Sequence, residues 1–245
     1  GSFHQGRIVL QHSIVINPSF LRSRDRRDNS HRITHRAACR GAEKPAQGQK
    51  DRHMTQHIVH SYDQELGQLS GRITRMGGLA EAMLVDSVDA LIRHDVTKAR
   101  SVVERDLQLD TLQHEVEEHA VLLIARRQPM ANDLRQIMGA IRIAGDLERI
   151  GDLVKNVAKR VPVMEDRFLG MRSLSGIQHM AHLVLGQIKS VLDSLSQNNA
   201  ELARHVWLHD GEVDTLNNSL FRELLTYMME DPRSITSATH LLFIA

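Results

Sequence analysis

Cysteine is nearly absent from this chain. Cys39 is the only one in 245 residues, so neither an intrachain disulfide nor a cysteine-rich metal site can form. The thiol-free remainder fits a reducing cytoplasm. Proline is almost as scarce, with Pro129, Pro162 and Pro232 the only ones after Met54, and aromatic residues make up 3 % of the chain. With so little strand vocabulary, an all-α fold follows. Long hydrophobic runs are missing too. The longest, AVLLIA at 120–125 and LLFIA at 241–245, fall far short of the roughly 18 to 20 residues of a membrane span. No H-E-x-x-H, G-x-S-x-G, P-loop or G-x-G-x-x-G occurs, which removes the standard hydrolase, kinase and dinucleotide readings. No histidine after Met54 has a glutamate three residues before it, so the Glu-x-x-His signature of bundle di-iron enzymes is absent.

Net charge is also missing, but only in the sum. The formal charge of +1 hides a leader, residues 1–53, with 11 Lys/Arg against 4 Asp/Glu, and a body with 20 against 26. The leader opens Gly1-Ser2 without an initiator methionine, as a cleaved tag would leave it. It has few large apolar residues after Leu21, and Met54 reads as a natural start. Residues 1–53 are therefore expected to be a disordered basic extension. Its arginines are interrupted by acids and carry no interleaved aromatics, so direct nucleic-acid binding is not expected.

What is present is helical periodicity. Leu66, Leu69, Ile73, Met76, Ala80, Met83, Ser87 and Ala90 alternate in threes and fours, predicting a first helix from about Tyr62 to Arg93 with a bundle-type seam. Asp95 is the expected N-cap of a second helix from Val96 to about Arg127, with Leu109, Leu112, Val116, Ala120 and Leu123 inward. Pro129 is expected at the first position of a third helix that runs to Arg160. That helix carries two apolar series, Leu134, Ile137, Ile141, Ala144 and Ile143, Leu147, Ile150, Val154, Val157. Three helices of about 30 residues joined by short loops must pack antiparallel.

The chain then repeats itself. An offset of 104 carries Met76 to Met180, Leu79 to Leu183, Asp89 to Asp193 and Ala99 to Ala203, and Asp106, Asp110, Thr111, Leu112 to Asp210, Asp214, Thr215, Leu216. The predicted fold is all-α, a tandem repeat of two antiparallel three-helix bundles, 54–163 and 164–245. Helix four is expected over about Asp166–Ser196 and helix five over about Asn199–Glu230. Helix six, starting at the Asp231 cap before Pro232, has only about 13 residues, so the second bundle is expected to lack most of its last helix.

The candidate chemistry lies in paired carboxylates. Glu148 and Asp152 share one face of the third helix at the edge of its core-facing side. Asp110 precedes Pro129 by 19 residues and Glu148 follows it by 19; Asp106 and Asp152 lie 23 to either side. Equal counts from a turn between antiparallel helices mean equal heights, so four carboxylates come level. Such a group needs a cation, Arg/Lys partners or raised pKa values. Oxygen ligands suit a hard or borderline cation. The other reading is two solvated acidic stripes paired with Arg105, Arg149 and Lys155. His114, one turn past Asp110, reads as an exposed histidine rather than a ligand.

ERDLQLDTL, RQPMANDLRQI and DLERIGDLVKNVAKR, in that order and spacing, resemble the PhoU family of phosphate-transport regulators over about Asp63 to Ala245. The resemblance implies a cytoplasmic, non-enzymatic negative regulator of phosphate uptake and the phosphate-starvation response, acting on the phosphate ABC transporter and its sensor histidine kinase, as a homodimer. It further implies E/D-x-x-x-D motifs that bind iron or zinc, falling on Asp106, Asp110, Glu148 and Asp152, with a half-motif at Asp210 and Asp214. Inorganic phosphate would reach the protein through such a metal. A metal-dependent hydrolase or ferroxidase, or a metal-free helical scaffold, are the rival readings. An acidic stripe beside a seam offers little of the enclosure that catalysis requires.

Overall fold

The computed structural model describes residues 47–164, 172–197, 199–208 and 211–245, with side chains from Ser61 onward except that of Arg172. Residues 1–46, most of the expected disordered leader, lie outside the described residues. Seven α-helices follow in order: α1 Gln47–Arg93, α2 Val96–Arg127, α3 Asn132–Arg160, α4 Arg172–Gln197, α5 Ala200–Leu208, α6 Gly211–Glu230 and α7 Ile235–Ile244. Short 3-10 turns at Val161–Val163 and Pro232–Ser234 complete the described elements, and none of these is a strand.

The first repeat, α1 to α3, packs each helix on the other two. Its seams are the expected ones. Met76, Ala80, Met83, Ser87 and Ala90 of α1 and Leu109, Val116 and Ala120 of α2 are fully buried. In α3 the second series carries more of the packing, with Ile143, Leu147 and Val154 buried, whereas Leu134 of the first series is exposed. Asp95 caps α2 as expected, its Oδ1 accepting from the Lys98 backbone N–H at 2.9 Å. In the second repeat α4 packs on α5 and α6, and α6 on α7. The repeats meet where α1 packs on α4 and α3 on α7, and one continuous hydrophobic cluster runs through both. At Gly77 of α1 a Cβ would collide with the side chain of Leu192 on α4, so a larger residue there would make that leucine move.

Two helix boundaries differ from expectation. Helix α1 starts at Gln47 rather than near Tyr62, so residues 47–53, expected to be disordered, are helical. No proline lies between Pro45 and Pro129, and extending a helix already nucleated on a packed seam costs little per residue. Pro129 does not open α3. The reversal uses Gln128 and Ala131, both at φ 46°, and the helix begins only after Ala131, at Asn132. Two positive-φ residues turn the chain tightly enough for α2 and α3 to lie side by side. Helix five is described as two segments, α5 and α6, on either side of residues 209–210, which lie outside the described residues; helix four is described from Arg172 onward. As expected, Asp231 caps the turn at Pro232, accepting from the Arg233 N–H at 2.9 Å.

Candidate functional site

The Asp95 cap and the Gln128–Ala131 reversal fix where α2 starts and ends, and so set the height of every residue on it against α3. Contact between the helices at the carboxylates is set by Gly151. A Cβ there would run into the fully buried Leu109 side chain of α2, so only glycine allows α3 this close. Asp106 lies beside that contact and is 3 % exposed. Its Oδ2 accepts from Lys155 Nζ, and the same ammonium bonds Asp152 Oδ1. Lys155 thus clamps a buried carboxylate of α2 to a half-exposed one of α3.

The four expected acids do feel one another. Burial pushes the Glu148 carboxyl above its ordinary value, and the neighbouring charges of Asp152, Asp110 and Asp106 push it the same way. Lys155 is shifted upward by its hydrogen bonds to Asp106 and Asp152, so it stays protonated at any physiological pH. The counting from Pro129 therefore placed Asp106, Asp110, Glu148 and Asp152 together on α2 and α3. Asp214 sits half-buried in the first turn of α6, and its partner in the half-motif, Asp210, lies outside the described residues. His114 is exposed, near Glu117. Arg105, expected to pair with this stripe, instead reaches Asp86 of α1 at 2.5 Å.

Residues 73–161 and 177–245 match the PhoU domain, in register with the two repeats. The phosphate-specific transport system accessory protein PhoU homolog of Rhizobium meliloti is 51 % identical over 189 residues, covering 77 % of this chain and 80 % of that protein. The chain belongs to the PhoU family. The homologue of the same description in Caulobacter vibrioides is 47 % identical, over 78 % of this chain and 84 % of its own length. Among solved structures, PhoU from Pseudomonas aeruginosa superposes with a TM-score of 0.69 at 35 % identity, covering 75 % of this chain and 88 % of that one. The phosphate transport system regulatory protein PhoU from Streptococcus pneumoniae gives the same TM-score at 25 % identity, over 75 % of this chain and 86 % of its own.

Whether the residues fit the metal that resemblance to the PhoU family implies turns on Lys155. The donors suit a hard or borderline cation, yet an ammonium already bridges two of them. Among the described residues no three His, Asp or Glu side chains are disposed as a metal shell. As arranged, Lys155 occupies two of the four carboxylates, and the face is not a ready metal site.

Sequence reasoning missed two features of this PhoU-family chain. Asp86 and Asp89 of α1 form a second charged cluster with Lys98 and Arg105 of α2, Lys98 Nζ bonding Asp89 at 2.5 Å. Further along the same helix pair, Arg127 grips Glu65 and Arg72 meets His119. The counting used at Pro129, applied to the His94-Asp95 turn, brings these residues opposite one another.

Proposed function

We propose that this chain is a non-enzymatic adaptor of a phosphate uptake system. It acts at the cytoplasmic face of the membrane on a phosphate ABC transporter and a sensor histidine kinase, as a homodimer, and restrains uptake and the starvation response when phosphate is plentiful. The observation that carries this reading is the 51 % identity over four-fifths of a protein named as a phosphate-specific transport system accessory protein. The absence, among the described residues, of any helix long and apolar enough to cross a membrane accords with docking on a transporter from outside the bilayer. Asp106, Asp110, Glu148 and Asp152 would hold iron or zinc once Lys155 swings away, and the metal would offer open positions to an oxyanion such as phosphate. Asp210 and Asp214 would contribute in the second repeat.

Membrane vesicles carrying the phosphate ABC transporter, compared with vesicles lacking it, test the reading. Saturable binding to the first and none to the second is expected; equal binding to both overturns it. Phosphatase and iron-oxidation assays on metal-loaded protein address the rival enzyme reading. Turnover that disappears in Asp110→Asn and Glu148→Gln would replace the adaptor with a catalyst.

A further inference from the structure

Between α1 and α2, far along both helices from the carboxylates, lies an open groove of about 310 Å³ whose wall includes Ser61, Gln64, Glu65, Gln68, His119 and Arg126. Glu65, the only carboxylate among the described residues of the wall, is held by Arg127, whose Nη2 and Nε donate to its two oxygens at 2.7 and 3.2 Å. Arg127 Nη2 also donates to Ser61 Oγ at 2.5 Å, which leaves the serine proton free to point elsewhere. Arg72 Nη1 lies 2.6 Å from His119 Nδ1. A guanidinium only donates, so Nδ1 must accept, and the ring proton sits on Nε2, making that atom a donor. Burial and the charge of Arg72 lower the His119 pKa, in keeping with this neutral tautomer.

Arg72, Arg126 and Arg127 are the guanidinium groups at this end of the helix pair, and Arg127 is paired with Glu65. Glu115 is taken up by Arg72 at 3.6 Å. Arg126 is exposed on the rim, where its charge acts on Glu65 and His119. Gln64 and Gln68 add amide donors, and Leu122 supplies an apolar side to the wall.

We infer that this cleft binds an oxyanion, the class being a phosphate or the phosphoryl group of a small molecule, through Arg126, His119 Nε2–H, Ser61 and the two glutamines. The wall's carboxylate is held by Arg127 and the His119 Nδ1 acceptor by Arg72, while the Arg126 charge and several donors remain. The volume is at the lower end of small-molecule sites, large enough for a phosphoryl group with an organic portion against Leu122. The site is independent of the carboxylates and of any metal.

Calorimetric titration of the full chain in phosphate-free buffer with chelator present tests this, with inorganic phosphate and AMP as probes. Saturable binding of either is expected. Binding of both alike identifies the free anion as sufficient; binding of AMP alone identifies a phosphorylated molecule. Arg126→Gln, a change on the exposed rim, should weaken binding about tenfold or more, the loss expected for a hydrogen bond to a charged group. Asp106→Asn should leave it unchanged, which separates this cleft from phosphate held through a metal. No saturable heat with either probe, or undiminished affinity in Arg126→Gln, overturns the assignment.

Discussion

A carboxylate buried as deeply as Asp106 needs a partner charge, and Lys155 is that partner. Removing one member of a buried pair costs about 3 to 5 kcal/mol, because the other is left without compensation. Lys155→Met keeps the length of the side chain and deletes its ammonium. With chelator present this variant should therefore melt well below the parent. If the carboxylates accept a cation in place of lysine, adding Zn²⁺ or Fe²⁺ should restore most of the lost melting temperature in Lys155→Met and bind more tightly than to the parent. Metal content and melting curves on both proteins, with and without chelator, decide it. A variant that stays destabilised at saturating metal would show that the face is a structural ion pair and nothing more. The four acids were legible in the sequence because counting from a turn needs only helix geometry. What Lys155 does with them was not, because a lysine three residues past Asp152 can equally point to water or bridge two acids, and only the depth of Asp106 selects the bridge.

Helices were legible wherever a seam ran long. The alternation from Leu69 to Ala90 on α1 and from Leu109 to Leu123 on α2 is buried as the spacing predicts, since a side chain every three or four residues must face one neighbour. Ends were less legible. Propagation carried α1 back to Gln47, and two positive-φ residues displaced the start of α3 past Pro129. Contact distance was invisible, because a glycine in a helical pattern does not announce what packs on it. Gly151 illustrates the consequence. Leu109 is fully buried and has nowhere to retreat, so Gly151→Val must push α2 from α3 at the carboxylates. Overpacking of this kind costs about 1 to 3 kcal/mol. Gly145, where an added methyl would meet nothing within 4 Å, is the control; Gly145→Ala should be neutral or stabilising because alanine favours the helix. Thermal melts of the two variants should diverge in sign or size. Equal effects would mean that the α2–α3 contact tolerates more than its geometry implies.

Across the whole molecule the two repeats share a sequence pattern but not a depth of packing. Among the largest fully buried side chains, those from Leu69 to Leu147 belong to the first repeat, and the second contributes Ile188, Leu224 and Leu241. On α6, Leu220 and Leu224, near Pro232, are buried, whereas Val213 and Leu216 and, on α5, Val206 are only partly covered, with Ala203 beyond them buried. The ten-residue α7 lies over the near part. Local opening is easiest where few apolar contacts are lost, so α5 and the first half of α6 should exchange their amide hydrogens faster than α1 to α3. Leu220 to Leu224 and α4, which packs on α1 through Gly77 and Leu192, should fall between these limits. Trp207, Leu208, Phe221, Leu225 and Met229 are exposed on the same pair of helices, and apolar surface of that extent favours association. Hydrogen exchange read by mass spectrometry at several protein concentrations separates the two effects. Exchange in α5 and α6 should be fast in dilute solution and slow as concentration rises and copies cover one another. Protection equal in both repeats at every concentration would mean that the partly covered seam is as stable as the buried one, and that its lesser burial has no energetic weight.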